Sequence, residues 1–141
     1  MKLQFKHQPF QAEAAAAVCD VFRGQPLRAQ THRQDPGAAA DGPLGGTGTG
    51  LCNQPLAQEL TDARILENLH AVQRRGGLPL SKALAGPGIN LSVEMETGTG
   101  KTYTYVKTIY ELNARYGWSR FIIVVPSVAV REGVYRSLQT T

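Results

Sequence analysis

A short glycine-rich turn, TGTGKT at residues 97–102, joins two segments of different periodicity and so narrows the choice of fold. Before it, in residues 89–95, apolar side chains alternate with polar ones, which is typical of a β-strand. After it, in residues 101–116, apolar side chains recur roughly along one side of a helix, and Gly117 is suited to end that helix. A strand joined to a helix by a tight turn is a building unit of α/β folds.

The segment that follows extends the same pattern. Residues 121–125, FIIVV, form a continuous apolar run, as expected of a strand covered on both faces of a parallel sheet. Pro126 and Ser127 then turn the chain, and residues 128–138 predict another helix. The order strand, loop, helix, strand, helix predicts an α/β fold that begins a doubly wound parallel sheet. Two strands are few for independent stability, so the sheet is predicted to be truncated.

The residues before the turn divide into three stretches. Residues 10–22 are rich in alanine and predict a helix. Residues 23–55 contain seven Gly and four Pro but no Ile or Val, which predicts a flexible insert with too little apolar surface to pack. Residues 56–75 predict an amphipathic helix, with Pro55 suited to its first turn and Gly76 to its end. The apolar stripe of that helix is predicted to consist of Leu56, Leu60, Ala63, Leu66, Leu69 and Val72.

Composition excludes several kinds of site. Cys19 and Cys52 are 33 positions apart and form no CxxC pair, and the three histidines are scattered, so neither a disulfide framework nor a zinc cluster is predicted. The N-terminus lacks the apolar core of a signal peptide, and no stretch is long enough to span a bilayer, which predicts a cytoplasmic protein with no membrane partner. The net charge of +4 fits an anionic partner such as nucleic acid. A solvated surface explains the same charge more simply.

The residue types in the turn suit the binding of phosphate. Gly98 and Gly100 permit tight backbone turns, so that successive N–H groups point into one concavity and hold an anion. The helix that follows adds its positive N-terminal end. Lys101 would reach the β- and γ-phosphates of ATP, and the Thr102 hydroxyl would bind Mg²⁺, so these two are the candidate catalytic residues. The strict pattern G-x-x-x-x-G-K-[ST] has Gly where this chain has Met95.

ATP hydrolysis requires more than a phosphate loop. A second strand normally ends in an acidic residue that helps to hold Mg²⁺, whereas residues 121–125 lead into Pro126. The sequence therefore predicts half of an ATPase site, with nucleotide binding but no hydrolysis by this chain alone. The similar string at 46–51, GTGTGL, has no lysine and follows no apolar strand, so it is interpreted as part of the insert.

Residues 91–134, from LSVEMETGTGKT to FIIVVPSVAVREGV, resemble the Res, or restriction, subunit of type III restriction-modification systems. The resemblance extends to residues 63–79 and 10–22. In this family the loop also reads METGTGKT. Members are superfamily 2 helicase-like ATPases joined to a nuclease domain, and the resemblance implies an N-terminal fragment of a RecA-like P-loop NTPase domain. It also implies ATP and Mg²⁺ as cofactors, and DNA and a DNA methyltransferase (modification) subunit as partners.

The resemblance implies a domain organisation and roles for particular residues. Residues 1–22 would form an N-terminal helix, 23–55 the insert, and 56–141 a partial helicase ATP-binding domain. Gln11 would read adenine, although Gln8 is an alternative match and an exposed helix position a simpler explanation. The residues matching helicase motif I, which binds the nucleotide, are Gly98, Thr99, Gly100, Lys101 and Thr102. The residues matching motif Ia, which contacts a nucleic acid backbone, are Pro126, Ser127 and Arg131.

Some of these residues have a simpler structural explanation, and the chain as a whole has two alternative functions. Ser127 is equally suited to cap a helix N-terminus, and Arg131 to a solvated helix face. Four tyrosines and the tryptophan are predicted to pack rather than to stack on bases, because of their helical spacing; they are Tyr103, Tyr105, Tyr110, Tyr116 and Trp118. A different phosphate-loop phosphotransferase is one alternative function. The other is a non-enzymatic module that docks a methylation subunit through the helix at 56–75.

Overall fold

Four helices make up the regular structure of the described part of the chain. The computed structural model describes residues 8–27, 53–86 and 88–140. Within those ranges the helices are α1 (Pro9–Val21), α2 (Asp62–Arg75), α3 (Lys101–Tyr116) and α4 (Val128–Thr140). None of them has both the length and the apolar character that crossing a bilayer requires.

The ends of the helices follow from local sequence. α3 spans the residues predicted for it, because Gly100 and Gly117 on either side adopt left-handed backbone conformations with φ of +86° and +76°. α2 begins at Asp62 and not at residue 56, so the predicted start is wrong. The Thr61 hydroxyl oxygen accepts a hydrogen bond from Arg64 N at 3.4 Å, which caps α2 there. Residues 57–60 form a turn before this cap, closed by a 2.9 Å bond from Leu60 N to Ala57 O.

The apolar core surrounds α1, which packs against α2 and α3. One cluster joins Cys19 of α1 to Leu112 and Tyr116 of α3. A second cluster joins Val21 of α1 to Leu60 and Ile65. Ile65, which is absent from the predicted stripe of α2, is fully buried, so the stripe is centred on a different line of the helix.

Polar side chains fix how the three helices meet. The Asp20 carboxylate of α1 accepts hydrogen-bonded ion pairs from Arg75 of α2 at 2.8 Å and from Arg115 of α3 at 3.0 Å. Asn68 of α2 is buried, and its amide nitrogen donates to Val21 O at 3.0 Å and Arg23 O at 2.9 Å. Val21 is the last residue of α1 and Arg23 lies in the turn that follows, so Asn68 satisfies carbonyl groups that the end of the helix leaves unpaired.

The predicted doubly wound parallel sheet, and with it the RecA-like α/β fold class, is wrong for the described part of the chain, which contains four helices and no strand. The two predicted strands, residues 89–95 and 121–125, are joined by no backbone hydrogen bond. Ile122 and Val124 are 92% and 87% exposed, whereas a strand covered on both faces would bury them. The residue pattern reflects strand propensity and apolar character, which are local properties. A sheet also requires a neighbouring backbone that supplies the ladder of hydrogen bonds, and the pattern does not predict that neighbour.

The predicted flexible insert at 23–55 falls mostly on residues 28–52, which lie outside the described residues. Its two described ends are held together. Gln25 is buried, donates from its amide nitrogen to Pro55 O at 3.3 Å and accepts from Ala57 N at 2.8 Å. Asn53 bonds the backbone of residues 119 and 120 through both ends of its amide. The chain therefore leaves and re-enters the described structure at neighbouring points.

Candidate functional site

The phosphate loop, defined here as residues 96–102, leads directly into α3. Residues 97 and 98 form a turn, and Thr99 N donates to Glu96 O at 3.4 Å. Gly98 and Gly100 have φ of +82° and +86°, in the region that residues with a Cβ atom rarely adopt. An added Cβ at Gly98 would meet open space, so only the backbone conformation requires glycine at this position.

The carbonyl oxygen of Glu96 accepts several hydrogen bonds from within the loop. The Thr99 hydroxyl donates to it at 2.6 Å, and Lys101 Nζ donates to it at 2.7 Å. The lysine is the first residue of α3, and its exposed side chain turns back to the Glu96 carbonyl of the loop. This contact holds a cation beside the loop, where its two remaining N–H donors can serve an anion.

The backbone N–H groups of the loop form the other half of the site. Among the described residues, no hydrogen bond uses the N–H groups of Gly98, Gly100, Lys101 or Thr102. The first N–H groups of any α-helix lack intrahelical acceptors, and they carry the positive end of the helix dipole. Thr102, at the second position of α3, is half-buried. The loop therefore presents unpaired N–H donors and an ammonium group, which can hold an anion, beside a hydroxyl whose oxygen can serve as a metal ligand.

Gln11 of α1 reaches the same loop. Its amide nitrogen donates to Thr99 O at 2.8 Å. A Cβ atom at Gly100 would displace that nitrogen, which is the end of a flexible side chain, so the positive φ is what requires glycine at this position. The structure thus brings Gln11 together with the five loop residues named from the sequence. Gln8, the alternative match, lies at the N-cap position of α1, and its backbone oxygen accepts from Gln11 N and Ala12 N.

The three residues matched to motif Ia lie together at the start of α4. The Ser127 hydroxyl accepts from Val130 N at 3.3 Å, so this serine caps the helix. Arg131 lies one turn along, with its side chain 67% exposed and paired to Glu132 at 3.2 Å. Pro126 is also exposed. No described hydrogen bond or ion pair connects these residues to the phosphate loop.

An apolar cavity of about 500 Å³ lies beside α3. Both predicted strands contribute to its wall, through Val93 and Met95 on one side and residues 121–125 on the other. Lys101 lines the cavity too, as do Thr104 and Tyr105 of α3. The packing predicted for the aromatic residues holds for Tyr116 and Trp118, which are tilted against each other at 5.4 Å. Phe22 packs edge-on against both, at 6.5 and 5.1 Å. Tyr110, by contrast, is 58% exposed.

Two contacts of the site carry no signal in the sequence. The acceptor that holds Lys101 is a backbone carbonyl, and every residue has one, so the residue type at 96 does not reveal it. The bond from Gln11 to Thr99 joins residues 88 positions apart, and neither segment has a pattern that predicts the other.

Comparison with known proteins decides the family. The family model described as type III restriction enzyme, res subunit, matches residues 56–141, which is more than half of the chain. The chain belongs to this Res subunit family. Its relatives include the EcoP15I Res subunit of Escherichia coli, 40% identical over 136 residues, and the EcoPI Res subunit of Escherichia phage P1, 34% identical over 136 residues. The StyLTI Res subunit of Salmonella typhimurium is 40% identical over 80 residues, or 57% of the chain and 8% of that relative.

The share of each protein that aligns differs greatly. The first two matches cover 96% of this chain but only 12% of each relative. The chain therefore spans about one eighth of the length of those Res subunits. The matched part includes the phosphate loop, Gln11 and the start of α4, which are the residues named above as a candidate site.

Proposed function

We propose that this chain binds the triphosphate of ATP, together with Mg²⁺, at the phosphate loop. The observation that carries the proposal is the loop itself. Two glycines with positive φ leave backbone N–H groups unpaired at the start of α3, and Lys101 Nζ lies over the same loop. Concave sets of N–H groups at a helix N-terminus bind phosphate in many unrelated proteins. The membership of the Res family supports the nucleotide class.

Each loop residue has a role in this proposal. The N–H groups of Gly98, Gly100 and Lys101, which bond no acceptor among the described residues, hold phosphate oxygens, and the two glycines permit the turn that exposes them. Lys101 moves its ammonium group from the Glu96 carbonyl to a phosphate oxygen, exchanging a neutral acceptor for a charged one. Mg²⁺, when bound, neutralises phosphate charge, and the Thr102 hydroxyl supplies a ligand to it.

Replacing Lys101 tests the proposal. We expect Lys101→Met to weaken Mg-ATP binding by roughly tenfold to a hundredfold, because a charged hydrogen bond to phosphate is lost. Isothermal titration calorimetry measures the affinity. Lys107→Met is the matched control, because Lys107 lies on the same helix but pairs with Glu111 at 3.6 Å. Equal affinity in all three proteins, or no binding by the unchanged chain, would refute the proposal.

No acidic residue directly follows residues 121–125 to support ATP turnover at this site. Residues 121–125 lead into Pro126 and not into an acidic residue that would help to hold Mg²⁺, so we propose binding of ATP without hydrolysis by this chain alone. In a complete Res subunit, ATP bound here would drive movement along DNA. A phosphate-release assay with Mg-ATP checks the point, and turnover that disappears in Lys101→Met would contradict it.

DNA is the second proposed ligand, bound through the start of α4. Ser127 at the helix N-cap and the exposed Arg131 suit contacts to the phosphate backbone, which position a strand without reading its sequence. Arg131→Gln should weaken DNA binding and reduce its salt dependence, as followed by fluorescence anisotropy. Arg64→Gln on α2, where the arginine is paired with Glu67, is the control.

A modification subunit is a further proposed partner, on the strength of the family alone. The apolar face of α2 is a poor candidate for that contact. Leu69 of α2 packs against the cluster of Val21, Leu60 and Ile65, and Leu60, which precedes α2, is 5% exposed, so both are already used inside the molecule. Co-purification with a DNA methyltransferase tests the partnership. No observation in the described residues favours the alternative of a small phosphotransferase.

A further inference from the structure

The side chain of Gln11 connects α1 to the phosphate loop across 88 residues of sequence. Its amide nitrogen donates to Thr99 O at 2.8 Å in a partly buried position. The same nitrogen also blocks the space in which a Cβ atom at Gly100 would lie. A single side chain therefore fixes a carbonyl on one loop residue and packs against the backbone of the next.

This contact also orients a donor of the loop. The Thr99 carbonyl and the Gly100 N–H belong to one planar peptide group, and in a trans peptide the two point in opposite directions. All peptide bonds of the described residues are trans. Because the Thr99 carbonyl is directed at Gln11, the Gly100 N–H is directed away from α1. Rotation of this peptide plane would break the bond to Gln11.

We infer that Gln11 is a positioning residue for the phosphate loop, which sets the direction of the Gly100 N–H and so the affinity for phosphate, whatever base is attached. The inference rests on the proposed binding of a triphosphate. It differs from the adenine contact predicted for Gln11, because the amide nitrogen that would donate to a base here donates to the loop.

A ligand without a base separates the two roles. Tripolyphosphate with Mg²⁺ carries the phosphates of ATP but offers nothing for an adenine contact. Gln11→Glu keeps the size of the side chain and places an oxygen opposite Thr99 O, where the nitrogen now donates. We expect this variant to bind tripolyphosphate and Mg-ATP about tenfold more weakly, and by the same factor for each ligand. A loss confined to Mg-ATP would overturn the inference in favour of adenine recognition.

Gln8→Glu is the matched control, because it makes the same chemical change one helical turn away, at a residue whose backbone caps α1. Its affinity for tripolyphosphate should equal that of the unchanged chain. Gln11→Asn is a second test variant, with a side chain too short to reach Thr99 O, and it should lose tripolyphosphate affinity as Gln11→Glu does. Circular dichroism of each variant establishes that the helices are retained.

A measurement without ligand separates this inference from the proposed function. Backbone ¹⁵N chemical shifts of Thr99, Gly100 and Lys101 report the loop geometry directly. They should change in Gln11→Glu and not in Gln8→Glu. Changed shifts together with no tripolyphosphate binding by the unchanged chain would remove the proposed function but leave the positioning contact. Unchanged shifts in Gln11→Glu would overturn the positioning role, even if the loop binds phosphate.

Discussion

Asp20 lies where the C-terminal ends of three helices meet. A carboxylate near the C-terminus of its own helix opposes the helix dipole, whereas arginines in that position complement it. Arg75 and Arg115 lie in the last turns of α2 and α3, where their positive charges interact favourably with the dipoles of those helices. The same charges neutralise the Asp20 carboxylate at the end of α1. The Asp20 side chain is 15% exposed, so these pairs are less screened by water than the exposed pair of Arg64 and Glu67.

Cys19, beside Asp20, is predicted to be unreactive in the folded chain. Burial raises the pKa of its thiol to about 11, because desolvation disfavours the thiolate. Alkylation by iodoacetamide at pH 8 should therefore be negligible until the chain unfolds. The measurement uses a Cys52→Ser variant, so that Cys19 is the thiol observed, and mass spectrometry to detect the adduct. Rapid labelling under native conditions would show that the core around Cys19 opens readily.

The same shift predicts a loss of stability in alkaline solution. The pKa of the Cys19 thiol is raised from 9.0 to about 11 in the folded state, so unfolding releases a proton between these pH values. The contribution of the neutral thiol to the free energy of unfolding is therefore complete below about pH 9 and is lost as the pH rises through about 11. Urea titrations between pH 8 and 11 measure the free energy of unfolding. Cys19→Ala should retain more of its stability over this interval than the unchanged chain, although Tyr116, whose pKa burial also raises, contributes to both.

At the scale of elements, sequence signals located helices better than strands. The glycines at 100 and 117 fixed both ends of α3, because left-handed backbone is a local property that residue type determines. The start of α2 was misjudged, since Pro55 suggested a first turn while Thr61 provides the cap. A strand depends on a partner backbone, which no local signal supplies, and residues 121–125 have none among the described residues.

Asn68 is the side chain that joins α2 to the end of α1, and its replacement should be costly. Asn68→Asp removes a donor shared by two carbonyl oxygens and places a carboxylate against them in a buried position. We expect the free energy of unfolding to fall by about 2 kcal/mol or more. Asn113→Asp makes the same change where the amide bonds Trp118 O at an exposed site, so it should cost about half as much or less. Urea titration measures both; equal losses would contradict the structural role assigned to Asn68.

Across the whole molecule, the candidate site depends both on local residue type and on how the helices pack against one another. The residues of the loop could be named from sequence, because glycine, lysine and threonine at that spacing have a chemical meaning before any fold is known. The contact of Gln11 with Thr99 could not, because it arises from α1 packing against α3. The core that holds α1 there is therefore part of the site.

Phe22 connects the two apolar clusters, since it packs against the Cys19 cluster and against the Val21 cluster. Phe22→Ala should lower the free energy of unfolding by about 2–3 kcal/mol, somewhat less than for a fully buried Phe because the ring is half-buried. Trp118, the single tryptophan, packs edge-on against Phe22 at 5.1 Å and reports unfolding by fluorescence. Phe10→Ala, at a ring 44% exposed, is the control and should change stability by less than about 1 kcal/mol.

The Phe22→Ala variant also tests whether the core positions the phosphate loop. Phe22 holds α1 to both clusters, and Gln11 lies on the same helix, so the variant should also bind tripolyphosphate more weakly. Unchanged phosphate affinity in a folded Phe22→Ala variant would show that the loop is positioned independently of the core.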